Sequence, residues 1–426
     1  MACEWGCEEN LIGTCSDTAS TNLGNKSGAA TILEQKVGHP LLKLECQRHV
    51  RELHVKYYGI SISGRNTKGV GDQLFNKIRD HWDEIIANGI DYQKLELFDW
   101  NQDEFLVQKA RDSLELMEKL LDSDSEMFHR GDYKSLAMLV RVYLTGDIHK
   151  FRFSKPIKTS HARFLQKGIY YVTAELLSEQ LEFLHDEEYQ EIAYMAEFVA
   201  LFYAPWFLKS SLSADSPLND LDIIDDIRKL RDSSSDDPRI VIAAEACLES
   251  IYRHSRYLHP QLVVMALASD KVTSGEKKAI AEALMAVKDQ FDVKKVVKDY
   301  TKFDVMKIWP DINSRPSLAE FVTKDSWLMF HLLDLMNDPD HTEWLSQDVK
   351  DWRGHGHDRF VQFVRNVDVV NDCSERAVKL CQDFLDTTTK EDTLQNRYHV
   401  VDRVRRLRRS RRKNKDSLKL IPTGVK

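Results

Sequence analysis

The residue with the clearest chemical potential lies close to the start of the chain. Asp17 ends the apolar run Leu11-Ile12-Gly13-Thr14-Cys15-Ser16 and opens a loop of small hydroxyl residues, Thr18-Ala19-Ser20-Thr21-Asn22-Leu23-Gly24. An acid at the end of a strand can hold a divalent metal ion. In two-metal enzymes several such acids hold two ions about 3.5–4 Å apart, which activate a water and stabilise the leaving oxygen. One carboxylate cannot do this, and an aspartate before Ser, Thr and Asn is also an ordinary turn residue. A second candidate is Cys46-Gln47-Arg48-His49, where Cys46 and His49 could supply two zinc ligands and His54 a third. A structural zinc site needs four ligands in complementary pairs. No second pair has that spacing, and Gly354-His355-Gly356-His357 is too short to complete a site alone. The alternative is a buried thiol with a histidine on a helix surface.

Other motifs offer less. GVGDQ at 69–73 lacks the third glycine of a dinucleotide fingerprint, GNKSG at 24–28 lacks the ending of a phosphate-binding loop, and no G-x-S-x-G is present. Acid-rich stretches such as LFDWNQDEF (97–105) and LNDLDIIDD (218–226) read as helix caps and solvated faces. Tyr203 and Trp206 read as core residues rather than as platforms for stacked bases.

The elements that must position these residues follow from periodicity. GTCSD closes a strand, AATILEQKV forms a short helix, LLKLEC a second strand, and QRHVRELHVKYYG a helix ended by Gly59. This alternation implies parallel strands covered by helices. Beyond residue 69 apolar positions recur three and four apart, as in amphipathic helices. In 105–122 the apolar face is Leu106, Ala110, Leu114, Met117, Leu120 and Leu121. Helices are expected at 72–88, 105–122, 134–144, 161–184, 188–203, 219–231, 239–258, 260–269, 274–290, 317–337, 358–365 and 372–386. The stretch 296–306 is ambiguous with a strand. The fold class is therefore mainly α with a small α/β portion. It divides into an α/β start at 1–60, a helical region at 61–231, a polar break at 232–238, a second helical region at 239–395 and a basic tail at 396–426.

Bulk properties bound the partners. The 426 residues are 42% hydrophobic and 30% charged, as in soluble globular proteins. The longest apolar run, FVALFYAPWFL (198–208), is broken by Pro205 and falls short of membrane-spanning length. No secretory leader pattern opens the sequence, and seven irregularly spaced cysteines fit reduced thiols inside a cell. The expected location is nuclear or cytoplasmic, with the nucleus favoured. Residues 403–415, RVRRLRRSRRKNK, hold nine of the 60 basic residues and no acid. Without those nine, 51 basic residues face 68 acidic ones, a balance of −17 rather than −8. Arg403, Arg405, Arg406, Arg408, Arg409, Arg411, Arg412 and Lys413 are thus candidate contacts to DNA or RNA. The same run also suits a solvated helix end, since HVVDRVRRL has near-helical apolar spacing.

The segment from Leu11 to His49 resembles the second-aspartate region of RNase H-like DDE transposases of the hAT-like kind. In that family the second acid ends a strand and precedes Thr/Ser-rich residues, Asn and Gly. A helix, a short strand and a Cys-x-x-His element come next. Asp17 takes the place of the acid, Thr18, Asn22 and Gly24 that of the loop, and Cys46 and His49 that of the Cys-x-x-His. Further along, Arg163 and Phe164 stand where the family usually carries Arg-Trp. Stretches such as FVTKDSWLMFHLL resemble an uncharacterised group of transposon-derived animal proteins. The resemblance implies a truncated RNase H-like core with a large all-α insertion. The family's first aspartate lies on an earlier strand of a three-strand meander, which the residues before Asp17 are too few to hold. The expected third acid has no clear match: Glu245 and Glu249 lie in the plausible region, and Gln261 would be a lost carboxylate. The expectation is a transposase-derived protein without DNA-cutting activity, with no cofactor as written and Mg²⁺ or Mn²⁺ only if the acid set were completed. An active nuclease within a longer chain, or a helical protein-interaction module, is the alternative. An open sheet edge implies self-association, and no membrane is expected as a partner.

Overall fold

The computed structural model describes residues 10–24, 26–64, 73–122, 128, 130–149, 151–155, 164–297, 303–309 and 315–371. The expected helix at 372–386, Arg163 and the arginine-rich tail lie outside these residues. Strand β1 (Gly13–Ser16) pairs in parallel with β2 (Leu42–Glu45), with Gly13 opposite Leu42 and Ser16 opposite Glu45. Parallel strands need a crossover. Here it is made by α1 (Ser20–Leu23) and α2 (Ala29–Val37), which ends at Gly38 with φ 79°. β2 is buried along its whole length and β1 only partly. These are the two strands among the described residues, so the small α/β portion stands on a mainly helical body.

α3 (Gln47–Ser63) leaves β2 directly. Gly59 does not end it, contrary to expectation. The helix runs on to Gly64, whose φ of 63° provides the left-handed cap that glycine adopts without strain. Gly59 instead leaves room for Met195: a Cβ there would meet the Met195 methyl at 3.2 Å. After α3 come α4 (Gln73–Asp80), α5 (Trp82–Asn88), α6 (Glu104–Asp122), α7 (Gly131–Thr145), α8 (Phe164–Leu176) and α9 (Asp186–Phe198). The expected helix at 72–88 is thus two. The break falls at His81, whose backbone N–H, at 3.2 Å, and ring Nδ1, at 2.8 Å, both lie on Lys77 O.

Pro205 does not break the apolar run either. Helix α9 passes through a π-helical stretch, Val199–Tyr203, into α10 (Ala204–Lys209), giving one continuous helix of 24 residues. Ala204 N–H bonds Val199 O in the wider register, which absorbs the ring. Among the described residues this is one helix long and apolar enough, by length and composition, to cross a membrane. Of its most apolar window 83% is buried inside the protein. Tyr58 of α3 stacks on its Phe198 at 3.8 Å.

α11 (Ser216–Ser233) and α12 (Pro238–His254) follow, then α13 (Pro260–Val263), α14 (Ser274–Val287), α15 (Leu328–Leu332) and α16 (His355–Asn366). The polar break at 232–238 takes in the last two residues of α11, the connection at 234–237 and the first residue of α12, and the two helices pack against each other. Asp237 caps α12 by accepting from Arg239 N–H. The expected helix at 317–337 resolves into 3₁₀ turns at Leu318–Phe321 and Lys324–Trp327 before α15. Ser317 with Glu320 and Thr323 with Ser326 each build a capping box, so a new start signal falls before a full helix can form. In the ambiguous stretch, Val305–Lys307 is a 3₁₀ turn. One hydrophobic core runs from Leu42 through the helical body to Val369.

Candidate functional site

Asp17 stands one residue past the carboxyl end of β1, as expected, and is partly exposed. Its Oδ1 accepts from Ala19 N–H at 3.0 Å and from Asn22 Nδ2 at 2.5 Å. The carboxylate therefore folds the loop that follows it, and Asn22 owes its place to that bond.

The neighbouring strand end is more heavily engaged. Glu45, opposite Ser16, is buried and its Oε1 lies 2.8 Å from Arg256 Nε. Burial outweighs the guanidinium and pushes the Glu45 carboxyl up to about 7. Tyr257 donates its hydroxyl to Glu45 O at 2.6 Å and its N–H to Asp220 Oδ2 at 3.1 Å. Arg51 of α3 reaches Asp220 Oδ1 at 2.7 Å and Gln47 Oε1 at 3.1 Å. Burial pushes Asp220 up as well, against the pull of Arg51 and of the Tyr257 N–H. Gln47 Nε2 donates to Ser216 Oγ, and Gln47 N–H to Val369 O at 2.9 Å. The β2–α3 junction is thus tied to α11, to the turn after α12 and to the end of the described chain.

Cys46 and His49 sit where the sequence places them, at the strand-to-helix junction. Cys46 is buried, its N–H donates to Ser16 O at 2.7 Å, and its Sγ accepts from Asn371 N–H at 3.3 Å. His49 is half-buried in the first turn of α3. His54 is fully buried, with Nδ1 3.3 Å from Ser250 Oγ of α12, and burial holds its pKa well below the usual histidine range. His355 and His357 open α16, where His357 packs edge-on against Trp344. Among the described residues no three or more His, Cys, Asp or Glu gather as a metal ion requires. Asp17, Cys46, His49 and His54 are not brought together into such a set.

The candidates for a third acid separate in the same way. Glu245 and Glu249 are exposed on α12, with Glu249 paired to Arg253 at 3.0 Å. Gln261 is buried in α13 and its Nε2 donates to Val297 O at 3.0 Å. The polar residues that most shape this region, Glu45, Arg51, Asp220, Arg256 and Tyr257, carried no signal in the sequence. Asp220, read with 218–226 as part of a helix cap or solvated face, is instead buried, because Arg51 and the Tyr257 N–H meet its carboxylate once α11 and the turn after α12 close on the β2–α3 junction.

No family model matches this chain, and no curated protein or solved structure matches it at a significant level.

Proposed function

We propose that this chain is a transposase-derived protein of the hAT-like DDE kind whose RNase H-like portion binds rather than cuts. The observation that carries the reading is the order at the sheet: an acid at the end of β1, a helical crossover, a parallel β2, and Cys46-x-x-His49 leading into α3. This is the topology the resemblance implies for the second acid. The non-cutting part rests on what the side chains do. Asp17 Oδ1 holds its own loop, Glu45 is buried against Arg256, and Cys46 is enclosed beneath Asn371. A two-metal mechanism needs several carboxylates on one pair of ions. Here further acids would have to come from outside the described residues or from another chain, and Mg²⁺ or Mn²⁺ would enter only then.

The role that fits is a nuclear binding protein, with DNA or RNA held weakly by Arg403, Arg405, Arg406, Arg408, Arg409, Arg411, Arg412 and Lys413, and self-association through the outer edge of β1. The deciding experiment incubates the purified chain with supercoiled and linear DNA in Mg²⁺ or Mn²⁺. No nicking or strand transfer is expected. Cleavage that disappears in Asp17→Ala overturns the reading in favour of an active nuclease. Binding is read by its salt dependence: log K falls with log salt in proportion to the phosphates neutralised, by about 0.9 per contact on duplex DNA. Deleting 403–415 should flatten that slope. An unchanged slope rules out the tail as the contact.

A further inference from the structure

A cavity of about 270 Å³ opens between α6, α10 and α11, beside Arg315. Its acids are already engaged. Asp226 accepts from Lys109 Nζ and, at 3.2 Å, from Trp206 Nε1. Arg315 spans α11, with Nη2 2.8 Å from Asp222 Oδ1 and Nη1 on Asp225 Oδ2. The walls also carry donors that these acids do not engage. Lys209 and Lys229 line the cavity and neither has an ion-pair or hydrogen-bond partner among the described residues. Asn219 lines it too, and its Nδ2 is buried with no acceptor among the described residues.

Lys209 is part-buried, Lys229 is exposed and the Asn219 Nδ2 is buried, so two ammonium groups and one amide present donors that suit an acceptor-rich anion. A cation would meet carboxylates whose charge is already offset, and an apolar ligand would leave the donors unpaired at a cost of about 1–3 kcal/mol for each one buried. We infer that this cavity binds a small oxyanion, inorganic phosphate or the phosphate group of a small phosphorylated molecule, through Lys209, Lys229 and Asn219. The volume lies just under the roughly 300–1,000 Å³ typical of drug-sized ligands, which suits a phosphate with a small appendage. The electrostatics agree. Burial pushes the Lys209 amine down, Lys271 and Lys109 push it further, and Asp226 and Asp112 only partly oppose them. An anion would relieve that field. The same unpaired, depressed amine makes Lys209 a sensitive reporter, because its neutral form reacts with acylating reagents.

The test is amine acylation of the full-length chain at pH 7.5, read residue by residue by mass spectrometry, in phosphate or in chloride of equal ionic strength. With phosphate at tenfold excess over its Kd, Lys209 should acylate about tenfold more slowly while exposed Lys278 is unchanged. Glycerol phosphate in place of inorganic phosphate distinguishes the two sources: stronger protection assigns the site to a phosphorylated molecule, equal protection to phosphate itself. Thermal unfolding is the second readout. Phosphate should raise Tm in the native chain and in a chain lacking 403–415, and should do so less in Lys229→Gln and not at all in Lys209→Met. Equal protection by chloride, a Tm rise that survives in Lys209→Met, or one that vanishes with the tail would each overturn the inference. So would protection of Lys209 by a single-stranded oligonucleotide but not by phosphate. If Lys209→Met does not fold, the protection pattern on the native chain and the Lys229→Gln response decide the matter.

Discussion

Ser113 of α6 donates its hydroxyl to the carbonyl of Ala200, 2.7 Å away in the π-helical stretch. In the five-residue register seen there, Ala200 O would receive the N–H of residue 205, and that residue is proline. Ser113 supplies the donor that Pro205 cannot. An apolar 24-residue helix thereby passes through a proline without leaving a buried carbonyl unpaired.

Ser113→Ala should therefore destabilise the protein by about 1–3 kcal/mol, the cost of an unsatisfied buried acceptor. In a Pro205→Ala background, where residue 205 regains its N–H, the same substitution should cost clearly less. Urea unfolding of the four-member cycle measures this. Strictly additive effects would show that Ser113 acts by packing alone.

The Glu45–Arg256 pair gives a pH-dependent expectation. With Arg256 present the Glu45 carboxyl already stands at about 7, and without the guanidinium it must rise further. In Arg256→Met the carboxyl is neutral at pH 5.5 and tolerable. At pH 8 the unfolded chain has released that proton, so the variant must either hold the proton or bury an unpaired carboxylate, and breaking a buried pair costs up to about 3–5 kcal/mol. The variant should lose more stability at pH 8 than at pH 5.5, and Glu45→Gln added to it should restore most of the difference. A loss equal at both pH values would contradict this account.

Glu175 of α8 is buried, and burial with the nearby Glu96 and Glu197 carboxylates pushes it up to about 7. Its folded pKa lies above its unfolded one of about 4.3. The stability it contributes is therefore complete below about pH 4 and is lost as pH rises through 7. Glu175→Gln should match the native chain at low pH and exceed it at pH 8 by up to ~4 kcal/mol, from about 1.4 kcal/mol per pH unit of separation. Chemical unfolding at the two pH values checks it, and an unaltered pH slope in the variant would refute it.

Two glycines make an opposed pair. A Cβ on Gly356 would lie 2.0 Å from the carbonyl oxygen of His341, a contact with backbone that cannot yield, so Gly356→Ala should destabilise by about 1–3 kcal/mol or more. On Gly59 the nearest atom is the flexible Met195 methyl at 3.2 Å. There the helix preference for alanine, roughly 0.5–1 kcal/mol, should offset the crowding and leave stability nearly unchanged. Thermal melts of both variants separate backbone contact from side-chain contact. A Gly59→Ala loss as large as that of Gly356→Ala would show that α3 and α9 have no room to adjust.

Much of the architecture was legible from local pattern. The alternation from Leu11 to His49 foretold two parallel strands with a helical crossover, and apolar positions three and four apart foretold most of the helical body. On α6 the expected face held at Leu106, Ala110, Met117 and Leu120, which are buried, while Leu114 and Leu121 are only partly so. Ser113 is buried in their company. Period alone cannot show that a polar residue turns inward when a distant carbonyl needs a donor. The same limit governs Pro205, whose breaking tendency is local and whose accommodation comes from another helix.

The candidate site divides along the same line. The sequence by itself determined that Asp17 ends a strand, that Cys46 and His49 flank a strand-to-helix junction, and that positive charge concentrates at 403–415, because each is a matter of residue type and near spacing. Only the tertiary structure decided that Glu45 meets Arg256, that Arg51 meets Asp220, and that Lys209, Lys229 and Asn219 face one cavity. Pairs such as Glu45–Arg256, 211 positions apart, arise because α12 packs on α3 and its following turn reaches the end of β2. Burial then sets their charge states, and burial belongs to the assembled core rather than to any segment of it.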